Sequence, residues 1–324
     1  MLIAALAVVV GLAMLVWGAD RFVAGASATA RTLGVSPLVI GLTVVGIGTS
    51  APEILVSAVA AWQGNPGVAH GNAIGSNIAN IGLVLGACAL VGPVDVRSGT
   101  LRREFPLLFG VMALTWMLID DRTLSRADGA LLCGGFALLL VLMVGIALRA
   151  RRTDPLRTEF EVEMPAEMSI PVAFGWLLVG LALLLVGSRG VVWGAVVIAQ
   201  SLGVSDLVIG LTVVAIGTSL PELATSVASV LKREHDIAVG NVIGSNMFNL
   251  LPVLGIAGLV HPGTLDPSVT GRDFPVMVVL TVALFMMAFS RRGPNRIERW
   301  EGAALLLAFA GYQGLLYFTA GAAT

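Results

Sequence analysis

GLTVVGIGTSAPEI, residues 41–54, returns as GLTVVAIGTSLPEL at residues 210–223. GNAIGSNIAN (71–80) and GNVIGSNMFN (240–249) follow at the same distance in each copy. At an offset of 169 residues, Gly41–Gly86 and Gly210–Gly255 align without a gap and share 23 of 46 positions. Chance does not give that, so the chain is an internal duplication. Each copy carries one Glu inside an otherwise apolar run, Glu53 and Glu222, within the same Thr-Ser-x-Pro-Glu setting.

Working outward, both copies lie in a chain of 324 residues that is 57% hydrophobic and 12% charged. Soluble domains carry about 25% charged residues. This composition excludes a soluble enzyme, a nucleic-acid binder and a disordered chain, and requires a multi-span membrane protein. The net charge of −1 says nothing about partners. The two cysteines, Cys88 and Cys133, fall in apolar runs, with no disulfide framework or metal-thiolate spacing. Both read as small buried residues. No cofactor and no protein partner is implied.

A crossing helix needs about 20 mostly apolar residues. Ten such runs stand out: 2–18 (extendable to 32), 36–61, 68–91, 104–119, 128–148, 170–188 (extendable to 200), 205–231, 238–260, 273–290 and 300–320. The first run lacks a basic leader and a cleavage site, so it reads as a retained span. The expected fold is an all-α membrane protein with ten transmembrane helices in two five-helix repeats. The repeats are 1–149 and 170–324, joined by a cytoplasmic linker at 150–169. Five is odd, so the second repeat enters from the opposite side. Inverted repeats of this kind are the architecture of secondary transporters, with a site near the midplane. With the N-terminus outside, 15 basic residues face the cytoplasm and four, Arg122, Arg126, Arg189 and Arg272, face out. Both termini are therefore expected outside a bacterial or archaeal plasma membrane. The six Trp mostly fall near span ends, as an interfacial belt would.

Of the 20 acidic residues only Glu53 and Glu222 read as lying deep in spans, and the other 18 as peripheral. A carboxylate in hydrocarbon costs at least about 2.5 kcal/mol, which marks it as functional by default. Pro52 and Pro221 interrupt the helix in mid-span and free the carbonyls of Gly48 and Gly217. Unwound backbone at membrane depth survives only where it is buried in protein or lines a cavity. Free carbonyls, the hydroxyls of Thr49, Ser50, Thr218 and Ser219, and two carboxylates make an all-oxygen setting suited to hard cations. In the second motif Asn72, Ser76 and Asn80 share a helix face, as do Asn241, Ser245 and Asn249. These can complete a cation shell or serve as interhelical polar contacts.

GxTxxxxGTSxPE followed by GNxxGSNxxN, present in both halves, resembles the sodium/calcium exchanger family of the cation/calcium antiporter superfamily, in its prokaryotic form without a regulatory domain. The resemblance implies an antiporter and not an enzyme, carrying sodium and calcium. It implies calcium ligation by Glu53, Glu222, Thr49 and Thr218. It implies sodium ligation by Ser50, Ser219, Ser76, Ser245, Thr218, both glutamates and the carbonyls of Gly46 and Ala215. Asn72, Asn80, Asn241 and Asn249 are supporting residues. Proton-coupled relatives carry an acid in the GN motif, and potassium-dependent ones an Asp at the place of Asn249; this chain has neither. A proton-coupled or manganese antiporter, and a cation channel, are the alternatives. The resemblance also implies that spans 1 and 6 slide against the rest. Outside the motifs, His70 reads as interfacial, His235 and His261 as loop residues with no partner spacing, and Asp20 as an interfacial charge whose repeat mate is Arg189.

Overall fold

The computed structural model describes residues 1–33, 37–150, 168–202, 215–289 and 295–321. The linker 150–169, with Glu159, Glu161, Glu163 and Glu167, falls almost wholly outside these residues, as does the first part of the 205–231 run.

Helix α1 is Leu2–Leu33. Helix α2 covers 37–49 and is a composite of Pro37–Ile40, a π-helical turn at Gly41–Val45, and Gly46–Thr49. Helix α3 is Ala51–Trp62, and α4 is Pro66–Val91 with a π-helical turn at Asn80–Leu85. Next come α5 (Ser98–Ile119), α6 (Arg126–Ala150) and α7 (Ile170–Ser201). The second half continues with the short α8 (Ala215–Thr218), α9 (Leu220–Leu231), α10 (His235–Val260), α11 (Val269–Ala288) and α12 (Arg299–Gly321). A π-helical turn at Asn249–Val253 interrupts α10. Among the described residues six helices are long and apolar enough to cross a membrane: α1, α4, α6, α7, α10 and α11. The pair α2 and α3, bent by 48° at Ser50, supplies a seventh. Helices α5 and α12 run 22 and 23 residues.

Burial separates the helices into a centre and a periphery. In α4 and α10, 72% and 89% of the span is buried inside the protein, against 28% in α1 and α7. One large apolar cluster joins α4, α5, α6, α10, α11 and α12, drawing on both halves. A second, smaller cluster is built from Leu15, Ala19, Phe22, Val23, Ala26 and Ala30 of α1 with Leu177 and Leu184 of α7, sealed by Ile40, Val45 and Ile237.

Helices α1 and α7 pack antiparallel along glycines spaced by seven. Gly11, Gly18 and Gly25 stand on α1, and their repeat mates Gly180, Gly187 and Gly194 on α7. A Cβ on Gly11 would lie 2.7 Å from the Gly187 carbonyl, and one on Gly180 would lie 2.5 Å from the Phe22 nitrogen. Only glycine permits that approach, which gives van der Waals contact where two apolar helices in lipid have no hydrophobic drive to associate. Each helix has 32 residues, about 48 Å at 1.5 Å per residue. That exceeds the roughly 30 Å hydrocarbon core and bears out the longer reading of both spans.

Four two-residue strands, β1 (Val94–Asp95), β2 (Thr123–Leu124), β3 (Gly263–Thr264) and β4 (Arg296–Ile297), pair between halves. β1 pairs antiparallel with β4, Val94 opposite Ile297; β2 pairs antiparallel with β3, Thr123 opposite Thr264.

Three expectations need correction. Asp236, Asp273 and Glu301 are also buried, each at the start of a helix or span and each partnered. Asp236 pairs with Arg97 at 2.8 Å; Asp273 takes bonds from Arg272 and Tyr312; Glu301 caps the Glu298 N–H at 2.7 Å. Hydropathy registers depth along the chain and misses such local compensation. His70 is 1% exposed, packed inside α4, and not interfacial. His235 is not a loop residue: it opens α10, and its Nδ1 accepts the Asp95 N–H at 2.9 Å. Asp20 stays partly exposed and pairs with Lys232 at 2.6 Å and with the adjacent Arg21.

Candidate functional site

Helix α2 ends at Thr49 because Pro52 cannot donate to the Gly48 carbonyl and its ring would clash with that carbonyl in a continuous helix. Ser50 adopts φ −81° and ψ 3°, the corner of the 48° bend, and Pro52 then sits in the first turn of α3, where a missing N–H costs nothing. Glu53 falls in that same first turn, at the positive end of the α3 dipole. The second half repeats this construction: Ser219 takes φ −87° and ψ 6°, Pro221 occupies the first turn of α9, and Glu222 follows it. Both glutamates are 1% exposed.

The two carboxylates come close enough to repel each other, and among the described residues no Lys or Arg acts on either. Around them stand the hydroxyls singled out from sequence. Ser50 Oγ donates to Glu222 Oε1 at 3.1 Å. Thr49 and Ser245 also lie against Glu222, and Thr218 lies against Glu53. Neither Glu53 oxygen receives a hydrogen bond of good geometry, and Glu222 Oε2, Ser219 Oγ and Ser245 Oγ are likewise buried without one. Among the described residues no group of three or more His, Cys, Asp or Glu could hold a metal. A cation here would therefore need neutral oxygens besides the two carboxylates.

Helices α4 and α10 bring the second motif against this centre. Asn72 Nδ2 donates to the Glu53 carbonyl at 3.2 Å and to Ser57 Oγ at 2.9 Å. Asn241 Nδ2 does the same to the Glu222 carbonyl at 3.4 Å and Ser226 Oγ at 2.9 Å. The Asn241 oxygen accepts the Thr49 hydroxyl at 2.9 Å, across the halves. Ser76 Oγ reaches Asn72 Oδ1 at 3.5 Å. Asn80 and Asn249 each begin a π-helical turn, a feature frequent at functional sites. Asn80 Nδ2 donates to Asn246 Oδ1 at 3.1 Å, whereas both polar atoms of Asn249 are buried without a partner.

The backbone oxygens differ between halves. The Gly46 carbonyl accepts the Ser50 N–H at 3.0 Å. The Ser219 N–H turns instead to Ile216, at 3.2 Å, and not to Ala215. The Gly217 carbonyl freed by Pro221 takes the Ser188 hydroxyl of α7 at 2.7 Å. Sequence reasoning missed Ser57, Ser226, Asn77 and Asn246, although each pair is identical in the gapless alignment and so was marked.

With the geometry in hand, comparison with known proteins is direct. The model of the sodium/calcium exchanger protein family matches twice, over residues 3–145 and 172–318. The chain belongs to the sodium/calcium exchanger protein family. Members similar to it include the inner membrane protein YrbG of Escherichia coli (strain K12), 45% identical with 98% of each chain covered. The sodium/calcium exchanger MaX1 of Methanosarcina acetivorans is 32% identical, covering 97% of this chain and 98% of that one. A solved structure of the sodium-calcium exchanger NCX_Mj, soaked with sodium and calcium, superposes with a TM-score of 0.80 at 34% identity, covering 95% of this chain and 96% of that one. This family member is thus a cation antiporter of the membrane, not an enzyme, and sodium and calcium are the ions the family carries.

Proposed function

We propose that the protein exchanges sodium for calcium by alternating access, at a site built by both repeats. The observation that carries this reading is the meeting of Glu53 and Glu222 in a buried, all-oxygen setting with no countering side-chain cation among the described residues. Two carboxylates are balanced by one Ca2+ or by at least two Na+. Left empty, both charges stay buried and uncompensated, a state that costs several kcal/mol per ion. That cost discourages the empty carrier from switching sides, and occupancy by either cation set removes it. Exchange rather than leak follows. Glu53, Glu222, Thr49 and Thr218 serve calcium. Ser50, Ser219, Ser76, Ser245, Thr218, the same glutamates and the carbonyls of Gly46 and Ala215 serve sodium. Asn72, Asn80, Asn241 and Asn249 support both.

The proposed frame is ten spans in two inverted repeats, 1–149 and 170–324, with both termini outside. Contacts between loops support the alternation. On the face assigned to the cytoplasm, β1 meets β4, Arg97 meets Asp236, and Ser27 of α1 bonds to Glu234. On the opposite face β2 meets β3, and Ser201 lies against Met1. No contact in either set joins loops that ten alternating spans would put on opposite sides. The naming of the YrbG relative as an inner membrane protein agrees with the plasma-membrane assignment. Helices α1 and α7 are the moving pair, since their apolar cluster is separate from the large one.

The test is calcium-45 uptake into sodium-loaded proteoliposomes, with manganese, potassium and proton-gradient controls. Uptake should depend on the sodium gradient and vanish in Glu53→Gln and in Glu222→Gln. Undiminished sodium-driven uptake in either variant would sink the assignment.

A further inference from the structure

Ser57 and Ser226 stand four residues after the glutamates, one helical turn on, and both are 0% exposed. The proposed ligand set makes no use of them. Each accepts a carboxamide N–H at 2.9 Å, from Asn72 and Asn241 respectively. The other N–H of each carboxamide goes to the backbone carbonyl of Glu53 or Glu222. With both amide hydrogens engaged on one side, the carboxamide oxygen is held on the other. In the second repeat that oxygen accepts the Thr49 hydroxyl at 2.9 Å. A hydroxyl has one proton. The Asn241 oxygen at 2.9 Å is a nearer acceptor than the Gly46 carbonyl at 3.5 Å, so Thr49 directs that proton to Asn241 and keeps its lone pairs for another partner.

A flipped Asn241 would reverse this. Its NH2 would face Thr49, the Thr49 oxygen would become an acceptor, and a lone pair would be lost to the ion. Its own oxygen would meet the Glu222 carbonyl, an acceptor against an acceptor. The residues beside the serines differ between repeats, Val56 and Ala58 in one, Thr225 and Val227 in the other. The Glu–Ser–Asn triangle is nevertheless reproduced in both, which points to the hydrogen bond and not to general packing.

We infer that Ser57 and Ser226 are positioning residues of the cation site: they fix the orientation of the Asn72 and Asn241 carboxamides, and Ser226, through Asn241, aims the Thr49 hydroxyl. The inference rests on the exchange reading above.

The experiment measures sodium-driven calcium-45 uptake against external calcium for the wild type, Ser226→Ala, Ser226→Cys, Ser57→Ala and Ser229→Ala. Cys keeps the side-chain volume with a weak acceptor. Ser229, buried on the same helix, donates its hydroxyl to the Thr225 carbonyl within its own helix and is the control. Loss of one hydrogen bond predicts a rise of about three- to tenfold in the calcium half-saturation constant for Ser226→Ala, Ser226→Cys and Ser57→Ala. Maximal rate should stay within about twofold, and Ser229→Ala should match the wild type. Wild-type half-saturation in both Ala variants overturns the inference. So does a Ser226→Cys variant that behaves as wild type, because volume alone would then suffice. A wild-type protein without sodium-driven uptake would instead overturn the exchange reading.

Discussion

In the proposed site, Asn249 is the supporting residue whose neutral side chain keeps the formal charge at the two glutamates. It is 1% exposed, neither polar atom has a hydrogen bond, and it opens the π-helical turn of α10. A carboxylate in its place would leave a calcium-occupied site with one uncompensated negative charge. Asn249→Asp should slow calcium-for-calcium exchange by about tenfold or more, given the several kcal/mol cost of an uncompensated buried charge. Calcium-45 efflux into unlabelled calcium measures this; unchanged efflux would refute the charge argument. Glu53 and Glu222 were legible in the sequence because a Glu in an apolar run is costly and these two recur in one motif. Ser57 and Ser226 were not, because a serine in an apolar helix is a common packing residue and only its neighbour reveals its role. His70 was misread for a related reason: one His near a span end gives no sign of which helix face it occupies.

Among the elements, the glycine-lined contact of α1 with α7 sets the tightest limits. A methyl on Gly180 would lie 2.5 Å from the Phe22 nitrogen and 2.7 Å from the Gly18 carbonyl, both backbone atoms that cannot step aside. Gly180→Ala should lower thermal stability by about 1–3 kcal/mol, the usual cost of overpacking. Gly175→Ala on the same helix, with nothing within 4 Å of its Cβ, should be neutral or slightly stabilising. Thermal unfolding in detergent compares the two, and equal melting temperatures would contradict close backbone contact. The lengths of α1 and α7 could be read from their extended apolar runs. The π-helical turns at Asn80–Leu85 and Asn249–Val253 could not, since an extra residue in a helical turn leaves no mark on hydrophobic periodicity. The bend at Ser50 was foreseeable from Pro52 and its neighbouring glycines.

For the whole molecule, duplication, helical class and the membrane setting all followed from residues 41–54 and 210–223 with the composition around them. The strand pairs did not, because two-residue strands have no pattern of their own and arise when distant loops meet. They permit a test of which parts move. In a background without Cys88 and Cys133, a disulfide between Thr123→Cys and Thr264→Cys would join β2 to β3 and should leave exchange within about twofold. A short thiol cross-link between Ser27→Cys and Glu234→Cys would tie α1 to the turn before α10 and should stop exchange until reduced. Full activity of the second cross-linked protein would contradict motion of α1.

The ribbons β1–β4 and β2–β3 clasp the two halves together at both ends, and the large apolar cluster crosses freely between them. The line along which the gene doubled is therefore not a hinge. On the proposed mechanism each ancestral copy gives one helix, α1 or α7, to a sliding shuttle and the remainder to a common stator, so ancestry would divide this machine lengthwise while its mechanics divide it crosswise.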